Sequence, residues 1–562
     1  MLPLFRLVAA LAASACVGLG LRATVQNFWT CDDAFISFRY AENFLNGHGL
    51  VFNVGERVEG YTNFAWTMLV AAGMHFGVEP ETFTHWAGFA CFATTVGLLL
   101  AASRRASGGA AWMPIAAMGL ALNTHAQLFA TCGLETSLFV LLATMLLFLT
   151  AWGRSALAFA AAGAVGTLAA MTRPDGLVLC AVAGTYALIR AARGRLPWSR
   201  VLAMALPGVL VYVPYFVWKW GYYGYPLPNT FYAKTAHDPY LSQGLLYLRL
   251  FFSCYWALAL ALGALVLATF LRRPPDLGEP ATDALPQLTF AFVSCYLAFV
   301  AWVGGDFMFG RFVMPVTPLL YLSFELLRRR WPAPGLALAL AALAVAGTVL
   351  RRFPEQLRDR GEINGIVEEP TYYPADEVAH KKRCAERLRQ LYGNHPSRLA
   401  IGGAQAMIAY YGKFDLVIEC STGLTDAHLA HLPVGARTRI GHEKNVMDLD
   451  PDYVLRRRVQ LWIDTKTPDP PANDHHNIDF GDFWGHIVTW DRELMRHLHG
   501  QPGVAFVDCE ALLDRFIPKL PTMPDADVDR LWQDLWPLYF EPNDDAVREA
   551  AFRTRLGLPP RQ

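Results

Sequence analysis

Two adjacent carboxylates, Asp32 and Asp33, follow the first hydrophobic stretch of the chain and open the polar segment 31–64. Ionised groups so close to hydrocarbon are costly unless they have a role. A carboxylate can act as a general base that takes the proton from an attacking hydroxyl. Because neighbours on a helix point about 100° apart, only one of the two can address a given proton. We expect Asp32 to be the base and Asp33 to orient the attacking group or to pair with a cation.

The same two residues have a structural alternative. Residues 32–46 have the pattern of a short amphipathic helix that stops at Asn46-Gly47, so an aspartate at its start could simply cap it. Such a cap stabilises a helix by about 1 kcal/mol. A second segment of this kind, residues 62–77, follows a polar turn. We expect both helices to lie along a membrane surface.

The composition bounds what the chain can be. Of its 562 residues 54% are hydrophobic and only 17% are charged, which is typical of a membrane protein with a soluble part. Lys plus Arg equals Asp plus Glu at 48 each, so the charge balance gives no sign of a nucleic-acid partner. The ten cysteines form no CxxC pair and carry no redox or zinc signal.

The hydropathy pattern predicts an α-helical polytopic membrane protein. Residues 1–352 contain about eleven apolar segments near the roughly 20 residues needed to cross a bilayer, the first being an uncleaved anchor. An odd number of crossings from a cytoplasmic amino terminus places residues 353–562 outside. Arginines then fall in the inside loops, as at Arg104, Arg154, Arg190 and Arg328. The predicted segments are 3–22, 83–103, 110–128, 134–152, 155–172, 176–193, 200–220, 247–271, 285–303, 309–327 and 332–350.

In this orientation the polar motifs gather on one side of the membrane. The outer connections are the first loop, 23–82, which carries the two aspartates, and the segments 131–136, 171–176, 225–234 and 304–311. A transporter would be expected to place ionisable groups near mid-bilayer. A one-sided cluster favours an enzyme that works at the outer face.

Several of these motifs resemble a known family. CDDAFISFRYAENFLNGHG, VEGYTNFAW and GGDFMFGRFVMP, with GLTDAHLA and RIGHEK further on, are similar to motifs of the polyprenyl-phosphate-sugar-dependent glycosyltransferases of the GT-C superfamily. The resemblance is greatest to the mycobacterial-type terminal β-(1→2) arabinofuranosyltransferases. It implies the GT-C fold, inversion at the sugar carbon, a lipid-linked sugar donor and an acidic residue of the first loop, here Asp32 or Asp33, as the base.

In the reaction that the resemblance implies, the leaving group is a lipid phosphate. Because this phosphate departs with negative charge, we expect fixed cations close to it on the outer face. Arg311 is the best candidate because a guanidinium matches phosphate oxygens in pairs, and Arg39, Arg173 and Lys234 are further ones. Arg173 has the alternative of snorkelling from a helix end, and Lys234 that of an ordinary interfacial lysine.

Other polar residues are candidates for binding the sugars. Two prolines fix an extended loop that presents Asn229 and Tyr232. Supporting partners are expected at Glu59, Tyr61, Asn63 and Glu135. The carboxylates of this region, which include Asp175 and Asp306, could together hold Mg, Ca or Mn, but their spacing is too scattered to decide it. The sequence therefore predicts no certain cofactor, with a divalent cation left open.

Beyond residue 353 the charge rises and no apolar run is long enough to cross a membrane. The order of residues 398–403, 404–412 and 415–419 reads as strand, short helix and strand, which predicts an extracytoplasmic α/β domain over 353–562. Asp426, His442 and Lys444 lie in the segments that resemble the family. They are either a helix cap and a turn or contacts to an acceptor glycan.

The sequence thus predicts a multi-pass protein of the plasma (inner) membrane with its active site and C-terminal domain on the periplasmic side. The expected activity is transfer of a pentose, arabinofuranose by resemblance, from a polyprenyl phosphate to a cell-envelope glycan. The partners are the lipid-linked donor, the glycan and membrane lipid, with the oligomeric state open. Two alternatives remain, namely a GT-C hexose or aminosugar transferase acting on lipopolysaccharide, capsule or protein, and a non-catalytic envelope assembly or transport protein.

Overall fold

The computed structural model describes residues 2–107, 113–234, 238–271, 284–331, 333–402, 406–434, 441–464 and 476–561. The chain divides into two compact units. The first, which we call the helical unit, comprises residues 1–49, 61–374 and 438–441. The second, the sheet unit, comprises residues 50–60, 375–437 and 442–562. The division along the chain therefore falls after residue 374, and a short segment of the first loop belongs to the sheet unit.

The helical unit is built almost entirely from helices. A π-helical stretch, Gly208–Tyr212, joins two of them, and Arg311–Val316 is a 3₁₀ helix. A two-stranded hairpin, β1 (Glu362–Ile363) and β2 (Ile366–Val367), follows the last helix. In chain order the helices are α1 (Leu2–Gln26), α2 (Asp32–Leu45), α3 (Phe64–His75), α4 (Pro80–Ser107), α5 (Ile115–Leu122), α6 (Thr124–Thr131), α7 (Thr136–Trp152), α8 (Ala156–Thr172), α9 (Gly176–Ala192), α10 (Trp198–Pro207), α11 (Val213–Tyr223), α12 (Asn229–Ala233), α13 (Leu241–Cys254), α14 (Trp256–Phe270), α15 (Leu285–Val303), α16 (Thr317–Arg330) and α17 (Pro334–Val349).

By length and composition this is a multi-pass membrane protein. Among the described residues four helices are long and apolar enough to cross, namely Arg6–Gln26, Pro80–Arg105, Trp198–Tyr223 and Leu285–Val303. Two bent pairs, α6 with α7 at 115° and α13 with α14 at 101°, would raise the number to six. The predicted count of eleven is therefore not confirmed. Several apolar segments instead form shorter or broken helices, as at Asn123, where α5 ends and α6 begins.

Helix α2 begins at Asp32, as the sequence predicts, but its N-cap is Cys31. Asp32 and Asp33 are its first two residues, so neither is the cap of the structural alternative. Side chains on all sides of the helix, among them Phe35, Phe38 and Tyr40, are buried. The expectation that α2 lies along a membrane surface is wrong, because residues 34–41, the charged Arg39 among them, are all buried within the protein.

The sheet unit is centred on a six-stranded sheet of order β4-β3-β5-β7-β6-β8. Strands β3, β4 and β5 are parallel, and the others pair antiparallel. The expected strand, helix and strand are present as β3, α19 and β4. The strands are β3 (Arg398–Gly402), β4 (Leu416–Glu419), β5 (Leu461–Asp464), β6 (Asn477–Asp479), β7 (Trp484–Ile487) and β8 (Ala505–Phe506). The helices are α18 (Ala375–Tyr392), α19 (Ala406–Gly412), α20 (Ala427–His431), α21 (Val446–Leu449), α22 (Tyr453–Arg456), α23 (Arg492–Leu498), α24 (Cys509–Phe516), α25 (Asp525–Leu535) and α26 (Ala546–Leu556).

Candidate active site

A single carboxylate, Glu135, stands at the centre of a buried polar network in the helical unit. It is the N-cap residue of α7, at the sharp bend that follows α6. Its Oε1 atom accepts hydrogen bonds at 3.1 Å from both Arg173 and Arg311. Its Oε2 atom accepts from Asn63 Nδ2 at 2.9 Å. Asn63 is the N-cap of α3, so this one carboxylate ties the starts of two helices to two guanidinium groups.

Arg173 is held in place from several directions. It ends α8, and its Nε and Nη2 atoms donate to the Asp175 carboxylate at 3.0 and 3.1 Å. Tyr296 donates to the same carboxylate at 2.5 Å. The Arg173 guanidinium also lies 4.8 Å from the centroid of the Phe312 ring. These contacts bind Arg173 into the fold, which favours a structural role over a phosphate contact.

Arg311 is held by two carboxylates, and one of its donor atoms has no hydrogen-bond partner among the described residues. Besides Glu135 it faces Asp306, whose Oδ2 atom lies 3.6 Å from Nη1. Burial alone would lower the pKa of Arg311, but the Glu135 and Asp306 carboxylates outweigh it and raise that pKa above its usual value. The buried Nε atom of Arg311 and the Oδ2 atom of Asp306 have no hydrogen-bond partner among the described residues. Arg311 thus keeps one buried donor that the described residues leave unused.

The start of α2 packs directly on the turn that precedes Glu135. The Cys31 amide donates to the Cys132 carbonyl at 3.0 Å, and Gly133 has a φ of +86°. A Cβ atom on Gly133 would lie 2.7 Å from the Ala34 Cβ. Only a glycine permits this backbone conformation together with so close an approach. The position of Asp32 and Asp33 relative to this turn is therefore fixed by the backbone.

The two aspartates differ in their surroundings from the acids of the network. Asp32 is buried and Asp33 is partly buried. Burial raises the pKa of the Asp33 carboxyl to about 6, with Lys234 and Arg311 opposing the rise and the charges of Asp32 and Asp306 adding to it. A carboxylate with such a pKa is ionised at neutral pH and still basic enough to accept a proton.

Lys234 and its neighbours approach from another part of the helical unit. Lys234 follows α12, and its Nζ lies 6.0 Å from the centroid of the Phe307 ring, next to Asp306 in the chain. Asn229 is buried at the start of the same helix, and the Tyr232 ring packs on Tyr225. Two predicted partners lie on or against α2: Arg39 is buried within it, and the Tyr61 ring packs against it, 4.6 Å from Tyr40.

Four predicted site residues belong to the sheet unit. Asp426 caps α20 by accepting from the Leu429 amide at 3.0 Å, which is the helix-cap alternative. Lys444 is buried and donates to the Leu432 carbonyl, and burial lowers the pKa of its ammonium group. Glu59 is buried, whereas His442 is partly exposed. None of these observations assigns a glycan contact.

The sequence analysis missed a second acidic pair. Glu368 and Glu369 follow β2, and β2 is bonded to the 304–310 loop through Phe309 N to Val367 O at 2.9 Å and Val367 N to Phe307 O at 2.8 Å. Glu368 contacts buried His125 at 3.1 Å. Burial and the charges of Glu369, Asp32 and Asp33 raise the pKa of Tyr373 well above its usual value, so this segment shares the surroundings of the aspartates. Two adjacent acids directly after Ile366 and Val367 were the available signal.

Several carboxylates of this region already accept hydrogen bonds from other residues of the protein. Glu135 and Asp175 accept from arginines, as described, and Asp306 Oδ1 accepts from the Phe307 amide at 2.9 Å. In the part of the chain that the structure describes, no group of three or more His, Cys, Asp or Glu side chains is arranged to hold a metal ion. What the arrangement offers chemically is a basic carboxylate close to the charges of a lysine and an arginine.

About half of this chain is similar in sequence to curated proteins. No family model matches the chain. It is 32% identical over 325 residues to the terminal β-(1→2)-arabinofuranosyltransferase of Mycobacterium tuberculosis, with 51% of each chain covered. It is 30% identical over 323 residues to the protein of the same name from Corynebacterium glutamicum, with 51% of this chain and 46% of the relative covered. The chain thus spans about half the length of the curated relatives it matches.

Among solved structures, the chain is similar to ArnT from Cupriavidus metallidurans. The TM-score is 0.49 at 14% identity both for ArnT bound to undecaprenyl phosphate and for its apo state. The first comparison covers 75% of this chain and 87% of ArnT, and the second covers 82% and 92%. The resemblance drawn from the motifs is therefore confirmed at the level of sequence: about half of this chain is homologous to terminal β-(1→2)-arabinofuranosyltransferases.

Proposed function

We propose that this protein is an inverting membrane glycosyltransferase that moves a pentose, arabinofuranose, from a polyprenyl-phosphate donor to a glycan of the cell envelope. The observation that carries the proposal is the pair Asp32 and Asp33 at the start of α2, with the charges of Arg311 and Lys234 acting on Asp33. The curated relatives are named terminal β-(1→2)-arabinofuranosyltransferases, which supports the choice of sugar.

In this reaction a carboxylate of the pair takes the proton from an acceptor hydroxyl while that oxygen attacks the anomeric carbon and the lipid phosphate departs. The sequence alone favours Asp32 as the base. The charge environment supports Asp33, since its pKa of about 6 suits a base that works near neutral pH. Arg311 and Lys234 would stabilise the charge on the departing phosphate.

The network around Glu135 has a different part in the proposal. Glu135 holds Arg311 in place, and Arg173 with Asp175 holds Glu135 in turn. A guanidinium whose position is fixed before the substrate arrives stabilises developing charge without first having to reorganise. Asp175 and Arg173 are thus expected to support the site and not to contact the sugar.

A transfer assay tests the proposal. The full chain is reconstituted in vesicles with a radiolabelled polyprenyl-phosphate arabinofuranose and an oligoarabinan acceptor, and the product linkage is determined. Parallel reactions use polyprenyl-phosphate hexose and aminosugar donors. We expect pentose transfer with inversion, and loss of transfer in the inserted Asp32→Asn/Asp33→Asn variant. Transfer from a hexose or aminosugar donor alone would favour the related transferase activity.

Absence of transfer from all three donors by correctly inserted protein would favour the non-catalytic alternative. Linkage analysis of envelope glycan from a deletion strain gives an independent result. We expect it to show loss of terminal β-(1→2) arabinofuranose, and an unchanged glycan would contradict the proposal.

A further inference from the structure

Residues 353–373, which we call the strap, follow α17 and belong to the helical unit. The strap contains the hairpin of β1 and β2 and a 3₁₀ helix, Glu369–Tyr372. Its side chains Leu357, Ile366 and Val367 are completely buried. The strap is therefore a folded element of this unit and not a loose connection.

The buried imidazole of His125, in α6, contacts the strap at two places. Its Nε2 atom lies 3.1 Å from Glu368 Oε2, and because a carboxylate only accepts hydrogen bonds, Nε2 carries the proton. In the neutral ring Nδ1 then accepts from the Tyr255 hydroxyl at 2.5 Å. The ring of Phe353, at the start of the strap, stacks on the same imidazole with the ring centroids 5.9 Å apart. His125 thus holds the first residue of the strap and the residue that follows β2.

Strand β2 of the strap is bonded to residues 304–311, which we call the arginine loop. The Val367 amide donates to the Phe307 carbonyl at 2.8 Å, and the Val367 carbonyl accepts from the Phe309 amide at 2.9 Å. Glu368 directly follows Val367 in the chain. The bond between Glu368 and the imidazole therefore lies one residue away from both backbone bonds that attach the arginine loop to the strap.

A tyrosine of α13 provides a second attachment for the arginine loop. The Tyr247 hydroxyl donates to the Met308 carbonyl at 2.9 Å and accepts from the Phe312 amide at 3.1 Å. Arg311 lies between Met308 and Phe312 in the chain, and its Nη1 atom is 3.7 Å from the Met308 sulfur. The backbone that carries Arg311 is therefore held by Tyr247 and by β2 together.

The last residue of the strap lies next to the segment that leads into α2. The Tyr373 ring stacks on Trp29, with the ring centroids 6.3 Å apart and the planes at 26°. Trp29 Nε1 donates to the Leu128 carbonyl of α6 at 2.9 Å. Asp32 follows Trp29 by three residues, a length of chain that spans at most about 10 Å. The strap thus connects the arginine loop to the residues just before the two aspartates.

We propose that Glu368 and His125 are positioning residues, which hold the strap against the arginine loop and thereby fix Arg311 relative to the aspartates of α2. This inference rests on the proposed function. In that reaction the phosphate gains negative charge as its bond to the sugar breaks. A displaced Arg311 therefore loses more stabilisation in the transition state than in the bound donor, and the effect is expected in kcat more than in KM.

The test compares three single variants in the transfer assay. We expect Glu368→Ala to lower kcat by about 10- to 100-fold with the donor KM little changed. The conservative Glu368→Gln should retain most of the rate, because its amide oxygen can still accept from His125 Nε2. Glu355→Ala is the matched control, since Glu355 is an exposed acid of the same strap and its replacement changes the net charge equally. It should leave kcat unchanged.

Equal kcat values for Glu368→Ala and an active wild type would overturn the inference while leaving the transferase proposal intact. A loss as large in Glu368→Gln as in Glu368→Ala would show that the charge matters and not the hydrogen bond, and would overturn it too. If Glu368→Ala does not fold, Thr371→Val decides, since it removes the 2.7 Å bond from the Thr371 hydroxyl to the Glu368 carbonyl and keeps the side-chain shape. It should lower kcat by about 3- to 10-fold, and an unchanged kcat would contradict the inference.

Hydrogen exchange of the Phe309 and Val367 amides gives a readout that needs no donor. Both amides donate in the pairing of β2 with the arginine loop. Their protection should fall in Glu368→Ala and not in Glu355→Ala. Equal protection in the two variants would contradict the inference even if no transfer were detected.

Discussion

Glu135 and Asp33 are two acids of one unit with opposite surroundings. Glu135 is buried, accepts from two arginines and an asparagine, and has a hydrogen bond on each of its oxygens. Asp33 is partly buried, and burial raises its pKa to about 6 although Lys234 and Arg311 act against the rise. The comparison teaches that full pairing makes a carboxylate a structural anchor, whereas burial with incomplete compensation leaves one basic enough for proton transfer.

The largest expected effect is the loss of transferase activity when Asp33 is replaced. Asp33→Asn should reduce kcat for pentose transfer by about 10²- to 10⁴-fold, the range that general-base catalysis contributes. Initial rates on vesicles with equal amounts of inserted protein measure it. Asp32→Asn, assayed beside it, shows which of the two carries the proton. Full activity in both single variants and in the double variant would remove the catalytic role of α2.

The second largest expected effect is on stability and distinguishes Glu135 from Asp33. Glu135→Gln should lower the free energy of unfolding by about 3 to 5 kcal/mol, because it leaves the buried charges of Arg173 and Arg311 with one fewer carboxylate. Chemical denaturation in detergent measures the change, with Asp33→Asn as the comparison variant. A loss in Glu135→Gln no larger than that in Asp33→Asn would mean that the network is not an anchor.

A third prediction concerns the contact between Gly133, in the turn before Glu135, and Ala34 of α2, the helix that carries Asp33. Gly133→Ala should destabilise the protein by about 1 to 3 kcal/mol, because the new Cβ would meet Ala34 and the φ of +86° is strained for alanine. Gly77→Ala is the control, since its φ is +78° but a Cβ there would meet nothing within 4 Å. Thermal shifts of the two variants isolate the effect of overlap, and equal shifts would show that Ala34 can move away.

The smallest effect is a pH dependence of stability. A pKa raised in the folded state means that the folded protein binds a proton more tightly than the unfolded chain does, so the favourable contribution of Asp33 is present below about pH 4 and lost as pH rises through about 6. At pH 8 Asp33→Asn should therefore be more stable than wild type by up to about 2 kcal/mol, and at pH 4 nearly equal to it. A stability difference independent of pH would indicate that Asp33 has an ordinary pKa.

Local patterns in the sequence predicted much of what lies in short motifs. The start of α2 and the strand, helix and strand after residue 398 were found from residue type and spacing. Glu135 and the arginines that it accepts from were named as separate candidates, whereas Tyr296, which donates to Asp175, was not. Hydropathy did not distinguish an unbroken span from two helices that meet at 101°, because both consist of apolar residues: the single crossing predicted at 247–271 consists of the end of α13 and α14, which meet at Tyr255. Long-range placement was also out of reach: nothing near residue 368 indicates that Glu368 meets His125, which is 243 residues away.

Asn53, in the segment 50–60 of the sheet unit, donates to the Val417 carbonyl of β4 at 3.0 Å and accepts from the Val417 amide at 3.0 Å. An open outer strand offers its backbone groups to a strand of another molecule, which is a common start of aggregation. Here one side chain blocks that position of β4 with the protein's own chain. These two hydrogen bonds thus guard this position of the sheet against intermolecular pairing.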